Sequence, residues 1–207
     1  MGCRKEQHYE MSFTVGGLLC RESVMLAERY LTLGDWVAVR QQAVEENLLQ
    51  VRTRSSLMRM SREIVSRLKM LDTHEIQFLI NASGQDQGYL MWVAVCRRYP
   101  FIYEFSLEVL RENYISLRYD LGEESFGIFF DRKADWHPEL EAIKPTTRNK
   151  LRQNLFRMLR EAELIGHDRL ILAALPSPDL VRLLIATHEG DLRCLPIFDA
   201  DVRRLMR

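Results

Sequence analysis

No two of the four cysteines, Cys3, Cys20, Cys96 and Cys194, stand close enough to make a Cys-x-x-Cys pair. That spacing argues against a zinc knuckle or a dithiol redox motif. Cysteines so thinly spread read as reduced thiols in a cytosolic protein, with Cys20 and Cys96 as small buried hydrophobes. Long hydrophobic runs are also missing. The most apolar stretch, Tyr89 to Cys96, is eight residues and ends at Arg97-Arg98-Tyr99-Pro100. A spanning helix needs about 20 apolar residues, so this stretch reads as a core helix and no membrane partner is expected. The opening residues Met1 to Glu6 carry neither the myristoylation pattern nor an apolar leader before Cys3, so no lipid anchor is expected.

Catalytic signatures are equally scarce. The five histidines, His8, His74, His137, His167 and His188, have no second His or Cys at metal-ligand spacing. There is no Gly-x-x-x-x-Gly-Lys phosphate loop and no Gly-x-Ser-x-Gly elbow. Acids surround a histidine in Asp135 to Glu141, but the surrounding glycines and prolines make it read as a solvated loop. The chain is therefore expected not to be an enzyme, and to need no cofactor, no metal and no small-molecule substrate.

Net charge is absent too, with 29 Lys plus Arg against 29 Asp plus Glu. Yet that neutrality hides a segregation. Asn47 to Met70 holds six bases and one acid, net +5, and Lys144 to Arg160 holds six bases and no acid, net +6. The remainder must total −11. Such a division suits a dipolar molecule with basic patches for a polyanion and acidic surface elsewhere.

Helical periodicity dominates what is present, in a chain of 207 residues with 47% apolar and 28% charged composition. The expected class is mainly α: an N-terminal helical domain over 1–140 and a C-terminal winged-helix-like domain over 141–207, with at most a short β-hairpin. A helix is expected from Gly16 to Leu33, with Leu19, Val24 or Ala27, and Leu31 near one face. Others follow from Trp36 behind an Asp35 cap, over 53–71, over 72–81 with Asp72 or Thr73 as cap, over 89–99, from Pro100, over 147–163 behind Thr146 or Thr147, and from Pro178 behind Ser177. Residues 169–175 read as the one strand, and 120–145 as a short helix and a linker. Clustered aromatics, Trp92, Tyr99, Phe101, Tyr103 and Phe105, read as core rather than as a base-stacking platform.

On a wheel of about 100° per residue, Leu57, Met60, Ile64, Leu68 and Leu71 fall on one stripe of the first basic helix. Opposite lie Ser55, Arg59, Arg62, Ser66 and Lys69, with Arg52 and Arg54 at its start. Solvated helix faces normally mix charge signs, since i,i+4 ion pairs support them. A one-signed face of arginine and serine is what phosphate contact asks for. The second basic helix presents Asn149, Gln153, Arg157 and Arg160, with Arg148, Lys150 and Arg152 beside them. Asn and Gln next to Arg can read base edges as well as phosphates. The plain alternative for both is a merely solvated face. Helices 36–46 and 53–71 with their turn form a helix-turn-helix-like unit.

Phe13 to Leu71 resembles the BrxA family, small components of bacteriophage-exclusion (BREX) defence systems. The matching features are the Gly16 to Leu19 opening, the Arg21-Glu22-Ser23 triplet, the helix led by Trp36, and Glu46 to Gln50 followed by a Ser/Thr- and Arg-rich helix. Thr146 to Ile165 is similar to the family's second signature, with Thr146-Thr147 where Ser-Thr is expected. The resemblance spans about Phe13 to Leu175. It implies a largely helical protein that binds double-stranded DNA in phage defence, with other BREX proteins as further partners and no catalytic residues. Asn47, Gln50, Arg52, Thr53, Arg59 and Arg62 match the first signature, and Thr147, Lys150, Arg152, Arg157 and Arg160 the second. An RNA-binding helical module and a scaffold docking on an acidic partner protein remain open alternatives.

Overall fold

A computed structural model describes residues 8–206, apart from the side chain of Glu189. Cys3 and the lipid-anchor motif lie outside the described residues. The helices are α1 (Cys20–Leu33), α2 (Trp36–Glu45), α3 (Arg54–Leu68), α4 (Thr73–Asn81), α5 (Gly84–Arg98) and α6 (Pro100–Phe105). A π turn over Ser106–Arg111 joins α6 to α7 (Glu112–Ile115). Then come α8 (Glu124–Ala134), α9 (Pro138–Glu141), α10 (Pro145–Glu161), α11 (Pro178–His188), a 3-10 turn (Glu189–Cys194) and α12 (Asp199–Leu205). The protein is mainly helical, as its periodicity requires. Among the described residues β structure is limited to two isolated antiparallel bridges, Asp120 with Leu170 and Ile165 with Ile171.

Side-chain caps set the starts of α2, α3, α4, α5 and α11. Asp35 accepts from the amides of Val37 and Ala38. Asp72 forms a capping box with Glu75, each side chain closing on the other's backbone amide. Ser177 accepts from the Leu180 amide at 3.2 Å. The second basic helix differs from its expected start. Pro145 occupies its first turn and Lys144 is the cap, with no side-chain cap bond, so Thr146 and Thr147 lie inside the helix.

The core is built on α5. Every residue from Tyr89 to Cys96 is buried, and Trp92 donates its indole N–H to the Cys194 carbonyl at 3.0 Å. This helix begins at Gly84, ahead of its expected start at 89, and a Cβ at Gly88 would make an ordinary 3.6 Å contact with the Ala162 Cα, where the end of α10 packs on α5. Phe101, Phe105, Phe126 and Phe129 interlock edge to face, which holds α8, the helix within the 120–145 region expected to be a short helix and a linker, against the core. On α1 the inner face is Ser23, Leu26 and Ala27, while Leu31 is exposed. That helix is apolar on more than one side, so its neighbours decide which side is buried.

A polar cluster anchors this interior. Arg67 of α3 is fully buried. Its Nε donates to Glu63 at 2.8 Å, and Nη1 donates to the carbonyls of Gly17 (2.9 Å) and Leu18 (3.2 Å). Glu63 also accepts from the Tyr99 hydroxyl at 2.8 Å, and burial beside that carboxylate pushes the Tyr99 phenol well above its ordinary pKa. Replacing Arg67 by Met would strand Glu63 and two carbonyls. We expect it to lower unfolding stability by about 3–5 kcal/mol in urea titration, with Glu63→Gln added to it recovering part of the loss. An Arg67→Met protein as stable as the parent would show that this cluster does not hold the fold.

Candidate nucleic-acid interface

Two positive-φ residues, Asn47 (φ 48°) and Gln50 (φ 50°), turn the chain between α2 and α3. Asn47 holds the turn by accepting from the Val51 amide at 3.0 Å. Thr53 caps α3, accepting from the Ser56 amide at 3.3 Å. Leu57, Ile64 and Leu68 are buried as the wheel requires, with Ser61 and Val65 beside them. Arg52, Arg54, Ser55, Arg59, Arg62 and Lys69 are exposed. Among the described residues none of these five cations forms an ion pair. The bonds from the Val37 and Ala38 amides hold the Asp35 carboxyl below its ordinary pKa, and the Lys69 charge adds a smaller contribution at longer range.

The buried pair sharpens this face. Glu63 is the acid of the window and Arg67 one of its six bases, and the two cancel inside the core. What remains outside is five cations and no carboxylate. Ser66 contributes less than the wheel suggests, since it is half-buried and its hydroxyl donates to the Glu63 carbonyl at 2.8 Å. No acid stands in the first turn of α3 or of α10. Both helices therefore present unneutralised amide dipoles at their N-terminal ends, where anions bind.

The outward face of α10 is smaller than its sequence implies. Arg148 pairs with Asp131 at 2.7 Å, donates to the Gly127 carbonyl at 3.0 Å and lies 4.3 Å from the Phe130 ring centre. Arg152 reaches Glu123 at 3.3 Å, and Arg157 pairs with Glu161 at 2.7 Å. Lys144, Asn149, Lys150, Gln153 and Arg160 are exposed, and among the described residues Lys144, Lys150 and Arg160 form no ion pair. Asn154, next to the expected site residues, instead turns inward and donates to the Phe13 carbonyl at 3.0 Å. Behind α10 the chain doubles back through the Ile165–Ile171 bridge, and a cleft of about 390 Å³ opens between the two, lined by Arg157, Arg160 and His167.

Both basic helices grip one loop. Arg67 holds the carbonyls of Gly17 and Leu18, while Glu161 accepts from the Leu18 amide and Asn154 takes the Phe13 carbonyl. Gly17 has φ 87°, and a Cβ on it would stand 2.9 Å from a Glu161 oxygen. Residues 16–19, expected to open a helix, are instead this clamped loop, and α1 begins after Leu19 in a left-handed conformation. No window count of charge could have found the loop; the paired glycines were its one sequence signal.

Elsewhere the arrangement offers little chemistry. Among the described residues no group of three or more His, Cys, Asp or Glu is placed to hold a metal ion, and no helix is long and apolar enough to cross a membrane. His137 is not a solvated loop residue: its ring stacks on Tyr9 at 3.8 Å, and Glu139 accepts from the Tyr9 amide at 2.7 Å.

Comparison with known proteins places these features in context. The sequence pattern of the BrxA family matches residues 7–188. A protein of Escherichia coli O9:H4 (strain HS) named BREX protein BrxA is 27% identical over 154 residues, covering 74% of this chain and 72% of that protein. A BREX protein BrxA of Bacillus cereus (strain H3081.97) is 25% identical over 169 residues, covering 80% of this chain and 82% of its own length. In fold, the chain is similar to the crystal structure of an uncharacterized protein from Magnetospirillum magneticum, with a TM-score of 0.78 and 22% identity over 91% of this chain and 98% of that one.

The two arginine sets differ in what they hold, and stability measurements should separate them. Arg148→Gln loses an ion pair, a carbonyl bond and a ring contact, and should cost about 1–2 kcal/mol. Arg59→Gln, Arg62→Gln and Lys69→Gln should each stay within roughly 0.5 kcal/mol of the parent in thermal unfolding. Equal costs for the two sets would mean that the α3 face is structural.

Proposed function

We propose, from the premise that the chain belongs to the BrxA family, that it is a non-enzymatic DNA-binding accessory protein of a BREX phage-defence system, acting in the bacterial cytoplasm. The observation that carries the DNA-binding reading is the face of α3, where Arg52, Arg54, Arg59, Arg62 and Lys69 stand exposed without an ion pair among the described residues. Double-stranded DNA is the partner that fits it. An exposed α-helix behind a short turn is the element that enters a major groove, and arginine forks match phosphate and guanine edges.

The second contact is the outer face of α10, from Asn149, Lys150, Gln153 and Arg160. Arg148, Arg152 and Arg157, engaged with carboxylates, serve it mainly as scaffold. The doubled-back segment after α10 supports a winged-helix reading, with His167 and Arg169 at its exposed tip. Other BREX proteins are further candidate partners, reached through surfaces outside these two helices.

Binding to a mixed-sequence duplex of about 30 base pairs should weaken with salt at roughly −0.9 log units per phosphate neutralised. The triple variant Arg59→Gln, Arg62→Gln, Lys69→Gln should flatten that slope by up to about 2.7 while its unfolding temperature is kept. Lys150→Gln with Arg160→Gln should flatten it separately, since two linked contacts raise overall affinity. Unchanged affinity and slope in the triple variant would remove α3 from the interface. Single-stranded RNA that outcompetes the duplex would favour the RNA-binding reading. Metal-dependent plasmid cleavage by the pure protein, lost in Asp135→Ala or His137→Ala, would overturn the non-enzymatic one.

A further inference from the structure

Outside the two basic windows, three arginines line one cleft. A cleft of about 500 Å³ opens between the π turn, α11, the 3-10 turn and α12, lined by Arg111, Arg193 and Arg203. Its apolar wall is formed by Ile185, Leu192 and Ile197. Clefts of 300–1,000 Å³ with an apolar lining and a few convergent polar groups are the usual form of small-molecule sites.

The charges are not balanced within the cleft. Arg111 is largely buried and donates through Nη2 to Asp199 at 2.7 Å, which uses the aspartate that lines the cleft. Its Nε–H is buried with no hydrogen-bond partner. Arg193 and Arg203 are exposed, and among the described residues neither forms an ion pair. Two uncommitted guanidinium groups and one unsatisfied donor remain. Arg111 is also the last residue of the π turn, an irregularity that occurs often at functional sites.

We propose that this cleft binds a small organic phosphomonoester. A phosphomonoester carries about −1.5 to −2 charges near neutral pH, which matches two free guanidinium groups better than a single carboxylate would. Arg193 and Arg203 clasp its oxygens as planar forks. The Arg111–Asp199 pair fixes one edge of the cleft, and the apolar wall takes an uncharged body of mononucleotide size. This site is separate from the basic faces of α3 and α10 in its residues and does not depend on the DNA reading.

Titration calorimetry of the full chain at low salt tests it, with adenosine monophosphate and phenyl phosphate as probes and adenosine and inorganic phosphate as comparison arms. Saturable one-to-one binding of at least one phosphomonoester is expected, tighter than either arm. Arg193→Gln and Arg203→Gln, both exposed and so expected to fold, should each weaken it about tenfold or more. The triple variant on α3 should bind as the parent does. The site is refuted if neither phosphomonoester binds saturably, if adenosine or phosphate binds as tightly, or if the α3 variant rather than the cleft variants loses binding.

Discussion

A single buried guanidinium sets the geometry on which the basic surfaces depend. Arg67 joins three parts of the chain: the loop at Gly17 and Leu18, its own helix through Glu63, and the α5–α6 junction through the bond from Tyr99 to Glu63. Removing a charged pair from water costs several kcal/mol per ion, and only well-made hydrogen bonds recover it. The recovery here uses backbone carbonyls, which fixes where the loop must lie. Arg67 and Lys69 lie roughly 160° apart around the helix axis at about 100° per residue, so anchoring one inward holds the other outward.

The same loop carries this constraint to α10. Glu161 and Asn154 take the amide of Leu18 and the carbonyl of Phe13, so the loop is held from both basic helices. Nothing larger than glycine fits at Gly17 without displacing Glu161. The two basic helices thus share one loop as a common support.

Much of this was legible in the chain. The stripe of Leu57, Ile64 and Leu68, the Asp35, Asp72 and Ser177 caps and the core helix through Trp92 follow from local rules about periodicity and capping. What was not legible is tertiary. Arg148 and Arg152 are neutralised by Asp131 and Glu123, which precede them by 17 and 29 positions and so fall outside any local count of charge. The core helix begins at Gly84 behind a Ser83 cap, ahead of its expected start at 89, and its contact at Gly88 with the Ala162 backbone joins positions distant in sequence. The expected strand at 169–175 has apolar β-prone residues, but each bridge it makes is single, and Leu170, Leu172 and Leu175 stay exposed. Glu63 is the instructive case. As the lone acid in a basic window it looks like partial neutralisation, and it proves to be the core partner that leaves the surface with one sign.

A one-signed face is tolerable because its cost is small beside the burial that holds the helix. Like charges one turn apart on a helix destabilise it by about 0.2–0.5 kcal/mol per pair, and arginine near the positive end of a helix dipole adds a similar amount. Burying each of Leu57, Ile64 and Leu68 contributes roughly 1.5–3 kcal/mol. Packing therefore outweighs repulsion several-fold, and α3 forms in spite of its outer face. The repulsion then becomes available to a ligand: an anion laid along Arg59, Arg62 and Lys69 relieves it as it binds. The same reasoning separates the two helices. On α10 three arginines have found protein carboxylates, so an incoming phosphate would have to displace Asp131, Glu123 or Glu161 before meeting them. Among the described residues no carboxylate pairs with the exposed cations of α3, so an anion meeting them would have none to displace.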